Sequence, residues 1–171
     1  HRWRYPDAER TAKYLEVGGW GTRMLTASMD GSDIRIIDPY NYTSHFIWKD
    51  KNHILAWTEL PEQGEGFFLF KDSVIPEITH IGKGVMTRNG HCTYLPHNTD
   101  WIVNDTYPDE NQLQSVYIYH EPTNKRYPLA ELYSPELYAG EWRCDTHPRT
   151  TPDGKAVIVD SPNYNGRQLY M

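Results

Sequence analysis

Three histidines, each at the start of a near-copy of the same short pattern, are the residues of this sequence best placed to do chemistry. They are His45, His91 and His147, which lie 46 and 56 residues apart along the chain. Each pattern predicts a short strand that carries the histidine, then a polar turn and a second, apolar strand. An imidazole can act as a general base, donate a proton or bind a divalent ion. If the fold brings the three patterns together, these side chains form one shared site.

The residues around the third histidine add charged groups of both signs. Residues spaced by two along a strand lie on one face of it, and four such residues are Arg143, Asp145, His147 and Arg149. This face could recognise an anion, with the two arginines binding a substrate carboxylate. Asp145 would then orient His147 as a base. The alternative is an internal ladder of salt bridges or an exposed strand edge.

The repeated pattern also predicts the fold. Self-similarity with a period of about 40–50 residues is typical of propellers and other repeat arrays, in which each repeat forms one antiparallel sheet. The first strand of a propeller blade lines the central channel, so equivalent histidines would converge on one axis. We predict an all-β fold, a β-propeller with about three to four four-stranded antiparallel blades of an incomplete ring of seven or eight. The predicted units are outer strands of one blade in residues 1–40, whole blades in 41–83 and 84–133, and an incomplete blade in 134–171.

The composition agrees with many short strands and excludes other classes of protein. Of 171 residues, 13% are aromatic, and 12 glycines and 12 prolines provide for turns. No run approaches the roughly 18 apolar residues of a membrane-spanning helix. The net charge of −6 argues against a nucleic-acid partner, because phosphate binding needs a basic face. Cys92 and Cys144 form no CxxC pair, and we expect both to be buried.

The two ends of the sequence indicate a piece of something longer. It begins without an initiator methionine and stops within a predicted strand, at Met171. We therefore expect the rest of the propeller to lie outside this chain. The cell compartment stays open, with a bacterial periplasmic or secreted location and a cytoplasmic one as the alternatives.

Two stretches resemble known bacterial propellers. The run from Thr151 to Val159, TPDGKAVIV, resembles the S-P-D-G-K-x-I-x-F signature of TolB-like propeller repeats. The runs 90–109 and 140–170 are similar to a group related to the oligogalacturonate lyases. That resemblance implies a carbohydrate-active polysaccharide lyase, which cleaves uronic-acid oligosaccharides by β-elimination. The TolB-like signature also occurs in propellers that only bind, which makes a non-catalytic propeller with a protein or glycan partner the alternative.

The lyase resemblance assigns roles to the residues singled out above. The lyases have a Gly-His pair at the start of an inner strand, which Gly90 and His91 match. His147 is the nearest match to a second lyase histidine, and His45 matches by repeat position only. The resemblance implies a divalent metal, Mn²⁺, Zn²⁺ or Ca²⁺, held mainly by histidines. The expected metal ligands are His45, His91 and His147, and the expected catalytic residues are His91, His147, Arg143, Arg149 and Asp145.

Overall fold

The computed structural model describes residues 21–75 and 77–171, and within them the fold is all-β. Thirteen strands form four antiparallel sheets that follow one another along the chain. Two single-turn 3₁₀ helices, Glu121–Thr123 and Gly140–Trp142, are the helical segments of the described residues. No helix in that part of the chain is long and apolar enough to cross a membrane. The all-β prediction is therefore confirmed, while residues 1–20 of the first predicted unit lie outside the described residues.

The first sheet is a two-stranded hairpin whose turn is encoded locally. The carboxylate of Asp30 accepts a hydrogen bond from the backbone N–H of Ser32 at 3.0 Å, and Gly31 adopts a φ of 84° that favours glycine. This is the Asp-Gly turn that the sequence indicates between two β-rich runs. The strands are β1 (Met24–Thr26) and β2 (Arg35–Asp38).

The second and third sheets are four-stranded meanders, in which each strand pairs with the next one along the chain. The strands of the second sheet are β3 (Phe46–Asp50), β4 (His53–Leu60), β5 (Gly64–Lys71) and β6 (Ile78–Ile81). Those of the third sheet are β7 (Thr93–Leu95), β8 (Asn98–Asp105), β9 (Leu113–His120) and β10 (Lys125–Tyr133). The fourth sheet contains β11 (Arg149–Thr150), β12 (Val157–Ser161) and β13 (Gln168–Tyr170).

Apolar layers between neighbouring sheets hold the stack together. Strand β4 shows why, because it is buried on both faces. Leu55 and Trp57 face the third sheet, in one cluster with Ile102, whereas Ile54 and Ala56 face the first sheet. A third cluster joins the third sheet to the fourth. A central strand between two neighbours needs apolar residues at consecutive positions, so these strands do not show the alternation of a half-exposed sheet.

The three histidines come just before the first strands of their sheets. The sequence pattern predicts them on those strands, so this detail of the prediction differs from the structure. His45 comes one residue before β3, and its carbonyl still accepts a hydrogen bond from the N–H of Trp57 at 2.8 Å. His91 and His147 each come two residues before a strand, β7 and β11. The strand predicted to carry His147 is reduced to the two residues of β11. Its extended backbone is interrupted because His147 has a φ of 38° and Pro148 has no N–H to pair.

Candidate functional site

The three imidazole rings lie side by side in one row, which we call the histidine row (His45, His91 and His147). The ring centroids of His45 and His91 are 4.2 Å apart, and those of His91 and His147 are also 4.2 Å apart. The planes are inclined by 61° and 53°, so the contacts are tilted rather than parallel stacks. Each histidine lies one or two residues before the first strand of its sheet. Because the sheets stack in chain order, equivalent positions become neighbours, as the repeat indicated.

The middle ring is fixed by a buried carboxylate at the end of β8. Asp105 accepts hydrogen bonds from the backbone N–H of His91 at 2.5 Å and from its Nδ1 at 2.9 Å. The hydroxyl of Thr146, in the segment leading to the fourth sheet, donates a third bond to the same carboxylate. Asp105 thus joins the third sheet to the approach to the fourth. It also leaves Nε2 of His91 as the ring nitrogen that this network does not use.

Two further features show that the contact between Asp105 and His91 is part of the fold. A Cβ on Gly90 would lie 2.7 Å from Oδ1 of Asp105 and closer still to its carbonyl oxygen, so a side chain has no room there. Burial alone raises the pKa of Asp105. The hydrogen bonds and charge of His91 and the Thr146 hydroxyl more than offset this, and the pKa falls below its usual value. The carboxylate is therefore ionised at neutral pH.

The first ring of the row is held in one tautomer by its neighbours. Nδ1 of His45 lies 3.0 Å from Oδ1 of Asn89, whose own amide donates to the hydroxyl of Ser44. Nε2 of His45 lies 3.3 Å from the hydroxyl of Tyr107. Burial, with a smaller contribution from nearby His91, lowers the pKa of His45 below its usual value. The ring is consequently neutral at pH 7, with Nδ1–H donating to Asn89 and Nε2 accepting from Tyr107.

At the other end of the row, an ion pair stands beside the exposed ring of His147. Nε of Arg143 is 2.7 Å from Oδ1 of Asp145, and its Nη2 is 2.8 Å from Oδ2. The guanidinium also covers the Tyr107 ring, 4.7 Å from the centroid. Its pKa is raised, chiefly by the hydrogen bond to Asp145. A cavity of about 360 Å³ lies beside these groups, with Arg143, Asp145, His147 and Arg167 among its lining residues.

Arg149 is separated from this group. Its Nη1 lies 2.8 Å from Oδ2 of Asp160 across the β11–β12 pair, and Arg149 does not line the cavity that contains His147. Cys144, Thr146 and Pro148 are buried, while the residues between them are exposed or half-buried, so the alternation inferred from the sequence persists without a strand. Both arginines form salt bridges with carboxylates of the chain, and both side chains are about half exposed.

Three of the predicted residues could offer ligands to a cation. Ligand atoms of His91, Asp145 and His147 lie within 4.8 Å of one another, and two imidazoles with a carboxylate suit Zn²⁺ or Mn²⁺. The fit is poor, however, because the Arg143 guanidinium lies 2.7 and 2.8 Å from the two oxygens of Asp145, and its positive charge would repel a cation there. His45 is not in this group, and its two nitrogens already have partners. Metal binding by the histidines stays a prediction.

Asn89 and Thr146 are among the contributors to the site that sequence reasoning missed. Asn89 and Thr146 fix the rings and the carboxylate although neither was singled out. Asn89 belongs to an Asn-Gly pair directly before His91, and such a pair marks a turn, which was the available signal. For Thr146 the signal was only its place beside His147. Its partner Asp105 is 41 residues away, a contact that only the stacking of two sheets creates.

Comparison with known proteins supports the fold. The crystal structure of TolB from Acinetobacter baumannii matches 86% of this chain with a TM-score of 0.64 at 18% sequence identity. The chain spans about a third of that structure, 34% of its length. No protein-family model matches the chain, and no curated protein sequence matches it. The chain therefore has a TolB-like β-propeller fold, which confirms the TolB-like half of the resemblance. The comparisons give no support to the resemblance to oligogalacturonate lyases.

Proposed function

We propose that this chain is part of a non-catalytic TolB-like propeller that binds a protein or glycan partner at the histidine row. The observation that carries the proposal is that the two arginines expected to bind a substrate carboxylate are already in ion pairs. Arg143 is paired with Asp145 through two contacts of 2.7 and 2.8 Å, and Arg149 is paired with Asp160 at 2.8 Å. Both guanidinium groups are already neutralised by carboxylates of the chain.

This arrangement conflicts with what a β-elimination needs. Removing a proton beside a uronate carboxylate requires that the substrate's negative charge be neutralised, by a cation or by arginine or lysine. A substrate carboxylate at Arg143 would meet a guanidinium whose charge Asp145 already neutralises, with contacts of 2.7 and 2.8 Å. The Asp145 carboxylate beside it would repel the substrate's negative charge. The same pairs do favour binding, because they hold the surface rigid before a partner arrives.

The exposed groups of the row are suited to such binding. Neither ring nitrogen of the exposed His147 has a hydrogen-bond partner among the described residues, so both are available to a ligand. Arg143 is about half exposed, and an arginine held in place retains donors that can reach a second acceptor. Arginine and aromatic side chains are enriched where proteins bind partners.

The lyase reading remains a second candidate because one observation favours it. Asp105 holds Nδ1 of His91 at 2.9 Å, which orients the ring and leaves Nε2 for proton transfer, as in carboxylate–imidazole pairs of hydrolases. In that reading His91 is the base and His147 assists it. Arg143 and Arg149 would neutralise the substrate after leaving their present partners, and Asp145 would orient His147.

One experiment separates the two functions. The full chain is titrated with uronic-acid oligosaccharides and with a peptide library, while heat release and the ultraviolet absorbance of unsaturated uronate are both recorded. We expect saturable binding with no unsaturated product. A rise in absorbance that the His91→Gln variant abolishes would refute the binding-only proposal in favour of the lyase.

A pair of matched variants tests whether the row is the binding surface. His147 and His97 are both exposed and both have a positive φ, which asparagine tolerates. His147→Asn should weaken partner binding about tenfold, the effect of losing one or two good hydrogen bonds. His97→Asn, in the turn between β7 and β8, should leave it unchanged. Equal effects of the two variants would place the binding surface elsewhere.

A further inference from the structure

Arg88 stands apart from the other arginines of the described residues. It is exposed, lies in the loop between β6 and β7, and has no hydrogen bond, ion pair or ring contact with any described residue. Six other arginines in this part of the chain contact a carboxylate, a backbone carbonyl, a side-chain amide or an aromatic ring; they are Arg23, Arg35, Arg126, Arg143, Arg149 and Arg167. A guanidinium presents five donors in a rigid fork, so Arg88 offers an unused site for an anion.

The surroundings of Arg88 form a pocket next to the histidine row. Its volume is about 270 Å³, and Tyr107 and Asn89, the two residues that hydrogen-bond the ring nitrogens of His45, both line it. Trp57, Glu65 and Thr87 complete the lining. Sites for drug-sized ligands have volumes of roughly 300–1,000 Å³, so this pocket matches a smaller group, such as one amino-acid side chain.

The charges in the pocket define the ligand further. Glu65 is exposed, and no ion pair joins it to Arg88. The pocket therefore presents a free guanidinium and a free carboxylate that do not neutralise each other. A ligand that satisfies both must carry a carboxylate for Arg88 and a nearby N–H or O–H donor for Glu65. An aspartate or glutamate within a peptide has both, because its carboxylate lies close to peptide N–H groups.

The aromatic residues of the pocket argue against a sugar as the ligand. Sugar rings are commonly held on the open face of an aromatic side chain. Trp57 is only 3% exposed, and Tyr107 has the Arg143 guanidinium over its ring at 4.7 Å. Neither residue offers the uncovered face that a sugar ring would need, whereas a peptide carboxylate needs none.

We propose that the Arg88 pocket binds an acidic side chain of a protein partner, with its carboxylate on Arg88 and a neighbouring peptide N–H donating to Glu65. This inference rests on the proposed binding function and specifies the chemistry of the partner. It also assigns to Arg88 and Glu65 a role that the histidine row alone does not require. The pocket adjoins the row through Tyr107, so one partner can contact both.

Nuclear magnetic resonance titration of the full chain tests the proposal, since it detects weak binding. The probes are the blocked peptide acetyl-Gly-Asp-Gly-amide, its Asp→Asn counterpart and galacturonate. We expect the aspartate peptide to shift the Arg88 side-chain and Asn89 amide signals, with affinity about tenfold or more above that of the asparagine peptide. Arg88→Gln should remove this difference. Lys83→Gln, an equal loss of charge at an exposed position of the same loop, should preserve it.

Several results would overturn the proposal. Equal binding of the two peptides, no binding of either, or unchanged affinity in Arg88→Gln would each reject a carboxylate site at Arg88. Tighter binding of galacturonate than of the aspartate peptide at the same signals would reject the peptide ligand. These failures differ from failure of the proposed function. A partner found by the library titration that still binds Arg88→Gln but not His147→Asn leaves the histidine row as the binding surface and rejects only the pocket.

Discussion

Replacing Asp105 by alanine should destabilise the chain more than any other single change at the site. The carboxylate is 1% exposed and accepts three hydrogen bonds, two from His91 and one from Thr146. Asp105→Ala removes the common acceptor and leaves three donors in a mostly buried environment. The side chain of His91 is itself only 17% exposed, so water replaces few of these bonds.

The expected loss follows from those three donors. Each buried donor left without a partner costs roughly 1–3 kcal/mol, so three such donors set the scale of the loss. We expect Asp105→Ala to lower the free energy of unfolding by about 3–5 kcal/mol, near the lower end for three donors because the His91 ring is partly exposed. Asp105→Asn, which keeps one acceptor oxygen but not the charge, should cause a smaller loss.

Urea denaturation followed by tryptophan fluorescence measures this loss, provided that the slope of the transition is unchanged. Asp153→Ala is the matched control. Asp153 also accepts side-chain and backbone hydrogen bonds, from Thr151 and Lys155, but in an exposed turn. Its replacement should cost less than about 1 kcal/mol. A loss below about 1 kcal/mol for Asp105→Ala would refute the argument that this carboxylate joins the two sheets.

Gly90→Ala should lower the melting temperature sharply in a thermal scan, because its Cβ would overlap Asp105; an unchanged value would show that the backbone has room. Burial lowers the pKa of His45 and of His80 below the unfolded value of about 6.5, so the unfolded chain binds more protons and stability falls as the pH drops from about 6.5. His45→Gln should flatten that pH profile, and an equal slope in the variant would contradict it. Burial raises the pKa of Cys92 to about 12, so iodoacetamide should label it only after unfolding; rapid labelling of the folded chain at pH 8 would contradict its burial.

The parts of the fold that could be predicted are those encoded by local pattern. The Asp-Gly turn at residues 30 and 31 and the apolar runs of β4, β5, β8 and β9 are readable without tertiary information. The repeat of histidine, turn and strand also indicated that the rings of His45, His91 and His147 come together. That prediction requires only that the three histidines occupy equivalent positions in stacked sheets, and their spacing along the chain indicates such positions.

The parts that could not be predicted depend on contacts between distant segments. Asn89 lies 44 residues from His45, and Tyr107 lies 62 residues from it, so no periodicity reveals either hydrogen bond. The arginines were expected to face a substrate, but which carboxylate pairs with Arg149 depends on the register of β11 and β12. The left-handed backbone at His147 also shortens a strand that the alternation of residue types predicts. These features belong to loops, where side-chain partners decide the conformation.

Three imidazoles from successive sheets lie in one row, with His91 in the middle. Nuclear Overhauser measurements on the chain labelled at its histidines test this directly. We expect cross-peaks between ring protons of His45 and His91 and between those of His91 and His147, consistent with centroids 4.2 Å apart in both pairs. Absence of either set of cross-peaks, with His91 assigned and observable, would contradict the row and the binding surface built on it.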